Sequence, residues 1–338
     1  METDHQHSKA TCHIGDILRV CFEHTSAQTV LIVSDDRCEL AKILTKAYVE
    51  NLPAAKHISF DQVAPEIILQ SFEELKEKDL VVLIQSTSFR LNEFRIRVEL
   101  FKRKLKVIEH PHLARMTGHE IDYYIDSLAY DPDYFRTVGP KLKEHIDVAK
   151  KTIVNSGGVE LVYDGELESS KLNIGDYRVM NNAGGQFPIG EVFTEAKDLE
   201  SVNGKINIFA FGDGNFKVNI PAKPITMIVE KGQVVRAENS TPEFDSIMTQ
   251  IRESDGAIWL RELGFGLNRA FTRDRTVCDI GTYERMCGIH LSLGNKHATY
   301  KKPNFKQRSP GFHLDVFAVT ESVLLDDKVV YQNGQWTV

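Results

Sequence analysis

Apolar runs and helix-period segments alternate along the first part of this chain. TVLIVSDD (29–36) is a continuous apolar run ending in acidic residues, the pattern of a strand buried on both faces of a parallel sheet. CELAKILTKAYVENL (38–52) has helical periodicity, KHISF (56–60) reads as a short strand, and PEIILQSFEELKEK (65–78) as a helix with proline near its first turn. DLVVLIQS (79–86) is a second buried strand, LNEFRIRVELFKRK (91–104) an amphipathic helix, and KVIEHPHL (106–113) a strand that stops at Pro111. Strands alternating with helices predict a parallel sheet with right-handed crossovers. The expected N-terminal domain, 13–152, is therefore α/β and doubly wound, with a mostly parallel sheet and a polar tail before it over 1–12.

The grammar changes after KLKEHIDVAKKTIVNS (141–156), which reads as a helix. Residues 205–239 are rich in strand formers and broken by Gly-Asp-Gly, Lys-Gly-Gln, Pro221 and Pro224, the punctuation of hairpins. TPEFDSIMTQIRES (241–254) predicts one helix with Pro242 at its start. The expected C-terminal domain, 153–338, is α+β with many antiparallel strands, and the boundary falls near 150–156.

Composition narrows the function classes. The 338 residues are 42% hydrophobic and 26% charged, with a formal net charge of −7, which suits a globular protein and argues against a general nucleic-acid surface. No apolar run approaches a membrane span, and METDHQHSKATC lacks the apolar core of a signal peptide. Its His5-Gln6-His7 is expected to belong to a mobile tail. The five cysteines are odd in number, widely spaced and free of CxxC pairs, so a cytoplasmic location with free thiols is expected. The first half has neither GxGxxG after a strand nor a Walker loop. His110 and His112 stand at a strand's carboxyl end, where open α/β sheets bind ligands, but the expected reading is a solvated loop.

Candidate chemistry gathers in the second half. Four stretches set isolated polar residues among apolar ones beside turn glycines: Glu191 in QFPIGEVFTEA, Glu262 in LRELGFGLNRAF, His290 in YERMCGIHLSLGNKH, and His313 with Asp315 in GFHLDVFAV. Successive strand residues point to opposite faces, so His313 and Asp315 would share one, with Phe312, Leu314 and Val316 on the other. Read singly, Glu191 suits a surface strand end, Glu262 a partner for Arg261 or Arg252, His290 a core histidine bonded to backbone, and His313 with Asp315 the wet face of an edge strand or a core histidine satisfied by a neighbouring carboxylate. Read together, two glutamates, two histidines and an aspartate are what a pair of divalent ions sharing a bridging water would need.

These stretches resemble the thermophilic-type aminopeptidase family of metallopeptidases (aminopeptidases S, T and II). GEVF (190–193), ELGFGLN (262–268), YERMCGIHLSLG (283–294) and HLD (313–315) match the family's short motifs in order and at similar separations. IGDILRV and CELAKILTKAYVEN resemble its N-terminal domain. The resemblance implies metal ligands at Glu191, Glu262, His290, His313 and Asp315, for Zn, Co or Mn. It implies cleavage of peptide or small amide substrates by a metal-activated water, with Glu262 or Glu284 as general base. A homodimer is expected, with neither nucleic acid nor membrane as partner. The chain departs from the family at His297, which stands where the family has a tyrosine to stabilise the oxyanion; Tyr300 comes three positions later. His297 is then the expected donor. Two alternatives remain. The related 2,5-dihydroxypyridine 5,6-dioxygenases hold one Fe(II) with two histidines and an aspartate, which His313 and Asp315 would partly match. A non-catalytic relative serving as a binding or scaffold protein is the other.

Overall fold

The computed structural model describes residues 2–91, 94–178, 183–296, 299–302 and 311–338. The chain divides into two compact units, Met1–Pro132 with Gly175–Ile189, and Asp133–Ile174 with Gly190–Val338.

The first unit is built on a five-stranded parallel sheet. Its order is Gly184–Gln186, Lys106–His110, Leu80–Ile84, Val30–Ser34, Lys56–Ser59. Chain order reverses between the Val30 and Leu80 strands, as in doubly wound folds. Both of these strands are buried at every position, which is why they read as unbroken apolar runs. Leu31, Val33, Val81, Leu83 and Val107 form one side of a core closed by Ile68 and Phe72 of the Pro65–Glu73 helix and by Leu100 of the Ile96–Lys102 helix.

The expected polar tail is instead a helix, Glu2–Asp16. Ala10 and Ile14 are buried on it, and Gln6 donates to Asp122 at 3.0 Å. The helix packs on the Glu39–Asn51 helix, where the Asn51 amide donates to the Thr11 carbonyl at 2.9 Å. Its polarity hid it, because few of its positions meet the core. No helix among the described residues is long and apolar enough to cross a membrane, and the five cysteines are free thiols.

The second unit is a large curled, mainly antiparallel sheet. Its central run is Thr152–Ser156, Val159–Tyr163, Val202–Gly212, Leu314–Ala318, Gly288–Leu293, Leu260–Gly266 and Glu191–Glu195. Residues 225–238 form a hairpin whose turn, Lys231-Gly232, has φ of 47° and 73°, the left-handed pair such tight turns use. The Pro242–Asp255 helix starts as its sequence predicts. Thr241 Oγ1 accepts from the Phe244 amide, Pro242 sits in the first turn, and Gly256 closes the end at φ 82°.

The composition-based boundary near 150–156 lies downstream of the structural division. The helix read over 141–156 runs from Pro132 to Val148, and TIVNS is the Thr152–Ser156 strand, buried at alternate positions. That alternation is the period of a half-covered strand and not a continuation of the helix. Residues 175–189 return to the first unit, where Gly184–Gln186 adds the sheet's edge strand. Gly184, at φ 123°, lies against the Val107 carbonyl, where a Cβ would sit 1.8 Å from the oxygen.

Candidate metal centre

Register alone gathers the candidate residues. In the antiparallel pairs, Phe193 lies opposite Gly264, Glu195 opposite Glu262, Gly264 opposite His290, His290 opposite Phe317, and Ser292 opposite Asp315. Opposed residues share a face, and so do alternate residues of one strand. Glu191, Glu262, His290 and Asp315 therefore project from the same face of four adjacent strands. Arg261 turns to Glu195 at a bulge between Leu260 and Leu263.

Glu191, Glu262 and His290 converge. His290 is buried, and its Nε2 lies 3.2 Å from Glu191 Oε1 and 3.4 Å from Glu262 Oε1. Among the described residues these three form the group close enough to share one ion. Two packing features set the imidazole. Phe317 lies beside it at 6.2 Å between ring centres. Gly264 lies beneath it, and a Cβ there would stand 2.0 Å from His290 Cε1 and 2.1 Å from Nε2. The first glycine of the Gly-Phe-Gly stretch thus makes room for the ring.

His313 and Asp315 form a separate pair. Their strand begins at Leu314, so His313 lies just before it, with Leu314 and Val316 buried on the opposite side. His313 Nδ1 donates to the Lys296 carbonyl at 3.1 Å, which turns Nε2 toward Asp315 Oδ1 at 3.3 Å. That distance is an ion-pair contact without hydrogen-bond alignment, since Asp315 Oδ1 has no hydrogen-bond partner among the described residues.

Electrostatics tie the two groups together. Burial works against a charged His290, but Glu191 and Glu262 outweigh it and hold its pKa well above the ordinary value. Burial likewise opposes a charged His313, and Asp315, with help from Glu262 and Glu284, raises it to about 10. Both imidazoles thus face carboxylates across contacts that need a proton or another cation between them. Burial pushes the Glu284 carboxyl up; Arg285 pulls it back, Glu191 and Asp315 add to the rise, and it stands at about 8.

Sequence reading missed Arg285. Its Nη1 is 3.2 Å from Glu191 Oε2 and in direct contact with Glu284 Oε1. The signal was present as an arginine beside Glu284 within the apolar TYERMCGIH. It also missed the buried Arg261–Glu195 pair, where Arg261 further donates to the Asn295 carbonyl at 2.9 Å. Tyr300 is a packing residue whose hydroxyl donates to the Ser169 carbonyl at 2.7 Å. His297 lies outside the described residues.

In the first unit, His110 occupies neither a ligand crevice nor a solvated loop. It is fully buried, with Nε2 2.8 Å from the Tyr48 hydroxyl and Nδ1 2.9 Å from that of Tyr124. Tyr124 donates onward to the Phe187 carbonyl at 3.2 Å, so it accepts from Nδ1–H and leaves Nε2 to accept from Tyr48. Burial lowers the His110 pKa to about 3. His112 follows in the left-handed conformation at φ 58°.

The donor set fits a divalent ion. Ligands about 2.0–2.1 Å from a tetrahedral ion stand roughly 3.3–3.4 Å apart, close to the 3.2 and 3.4 Å separations found here.

No family model and no curated protein matches the chain. Solved structures share its fold across nearly its whole length. The 2,5-dihydroxypyridine dioxygenase from Pseudomonas putida KT2440 is 14% identical, with a TM-score of 0.65, over 98% of this chain and 97% of that one. The aminopeptidase AmpT from Thermus thermophilus is 13% identical, with a TM-score of 0.61, over 98% of this chain and 99% of that one. At these identities the likeness is one of fold.

Proposed function

We propose that this chain is a metal-dependent hydrolase of peptide or small amide bonds. The observation that carries the reading is the buried Glu191–Glu262–His290 group. It has one imidazole and two carboxylates, a donor set suited to zinc, cobalt or manganese. A mononuclear iron dioxygenase would call for two histidines and one carboxylate. The aminopeptidase fold is consistent with this choice, and the dioxygenase fold is the reason to test it.

Glu191, Glu262 and His290 would hold the ion, which when bound supplies an acidified water and a Lewis acid for the scissile carbonyl. The remaining work falls to the chain itself. Gly264 and Phe317 fix the His290 ring so that Nε2 stays aimed between the two carboxylates. Glu284, holding its proton up to about 8, is matched to take and return a proton near neutral pH. Arg285 orients Glu284 and the outer oxygen of Glu191. His313, oriented by its Nδ1 bond to the Lys296 carbonyl, places a positive charge 3.3 Å from Asp315 Oδ1.

The test is elemental analysis after dialysis against Zn²⁺, Co²⁺ or Mn²⁺, paired with cleavage of aminoacyl-p-nitroanilides. Bound metal with metal-dependent cleavage, both lost in His290→Ala, is the expected result. Zero metal in every case would remove the reading, and one iron with ring cleavage of a dihydroxypyridine would replace it.

A further inference from the structure

We propose that Arg285 is a resident cation that stands where a second divalent ion would bridge Glu191 and Glu284, so that the chain binds one divalent ion and not two. This rests on the metal reading above and deepens it.

Glu191 is divided between two cations. Its Oε1 faces His290 Nε2 at 3.2 Å and belongs to the converging group, whereas its Oε2 faces Arg285 Nη1 at 3.2 Å. The same Nη1 touches Glu284 Oε1. One positive nitrogen shared by two carboxyl groups is the geometry of a bridging ion, here supplied by the chain. A divalent ion entering between Glu191 and Glu284 would have to take the same two oxygens.

The guanidinium cannot yield that place by losing its charge. Arginine stays protonated at any working pH. Arg285 is buried with its Nη1 between Glu191 and Glu284, and the backbone that carries it is fixed, its carbonyl accepting from the Asn268 amide at 2.9 Å. It follows a helical turn, Ile280–Tyr283, which Asp279 caps by accepting from the Thr282 amide at 2.9 Å. Gly266 presses on the backbone just beyond, where a Cβ would lie 1.9 Å from the Met286 carbonyl. His313 and Asp315, the other residues a second ion would use, lie outside the group that converges. Arg285 also contributes one positive charge among four carboxyl groups, Glu191, Glu262, Glu284 and Asp315, while leaving Glu262 and His290 to a metal.

The experiment counts Co²⁺ per chain by elemental analysis after dialysis, and follows a Co²⁺ titration by visible absorption. Wild type is expected to bind one equivalent. Arg285→Ala, which keeps both carboxylates and opens the space, is expected to bind two, and Arg285→Lys one. Should Arg285→Ala fail to fold, Arg285→Gln, shorter and uncharged, replaces it and is likewise expected to bind two. Two equivalents in wild type, or one in whichever of these two variants folds, would overturn the inference while leaving the metal reading intact. Zero equivalents in wild type would overturn the metal reading itself.

Discussion

Gly264→Ala tests the architecture of the site with one methyl group. The added Cβ would lie 2.0 Å from His290 Cε1 and 2.1 Å from Nε2, against 3.4–4 Å for an ordinary contact. The ring must retreat by roughly 1.4 Å, which is the deficit against ordinary van der Waals separation. It is hemmed by Phe317, so the retreat carries Nε2 away from Glu191 and Glu262. Overpacking of this kind costs about 1–3 kcal/mol, or on the order of 2–10 °C in melting temperature for a domain of this size. Because His290 itself is displaced, the loss in metal affinity should reach at least the ~10–100-fold seen when only a ligand's supporting contact is removed. Isothermal titration with Zn²⁺ and a thermal melt measure the two effects. Gly214→Ala is the control, since nothing lies within 4 Å of its Cβ position. If Gly264→Ala binds Zn²⁺ as wild type does and melts with it, the ring does not lie over Gly264 and the geometry is wrong.

Three further outcomes are expected. The His110 pKa is lowered by burial to about 3, so the unfolded chain takes up this proton below pH 6.5 while the folded chain refuses it until near pH 3. Stability of the first unit should therefore fall across that window, by up to about 1.4 kcal/mol per pH unit. Urea titrations of wild type and His110→Gln would reveal a shared pH slope if the residue is not responsible. Glu195→Gln should cost about 3–5 kcal/mol by leaving the Arg261 guanidinium buried without its carboxylate, whereas the double change Glu195→Leu with Arg261→Met should recover much of that in thermal melts. Asp315→Ala and His313→Ala should leave the far-ultraviolet circular dichroism unchanged, because Leu314 and Val316 hold the strand. A collapse of the fold in both would show the pair to be structural.

Much of the fold was legible because its signals were local. The buried parallel strands are runs such as LVVLI, and the Pro242–Asp255 helix carries its cap, proline and closing glycine in sequence. What escaped notice depends on contacts distant in sequence. The Glu2–Asp16 helix is too polar to show a face, and its reason to fold lies in partners such as Asp122 and Asn51. Strand TIVNS was absorbed into the preceding helix because a short half-buried segment gives little period to measure. At the site, Glu191, Glu262 and His290 were readable as an ordered set of polar residues in apolar surroundings, but their convergence needs the register of three strands. Arg285 was hidden by ordinariness: an arginine beside a glutamate reads as a surface pair until its burial is known.

Metal-dependent hydrolysis at the Glu191–Glu262–His290 group can be measured by single-turnover cleavage of an aminoacyl-p-nitroanilide by metal-loaded wild type and Glu262→Gln. Release of p-nitroaniline should follow bound metal, vanish on chelation and be lost in Glu262→Gln. Wild type that holds its metal yet cleaves no substrate across a broad peptide and amide panel would contradict it.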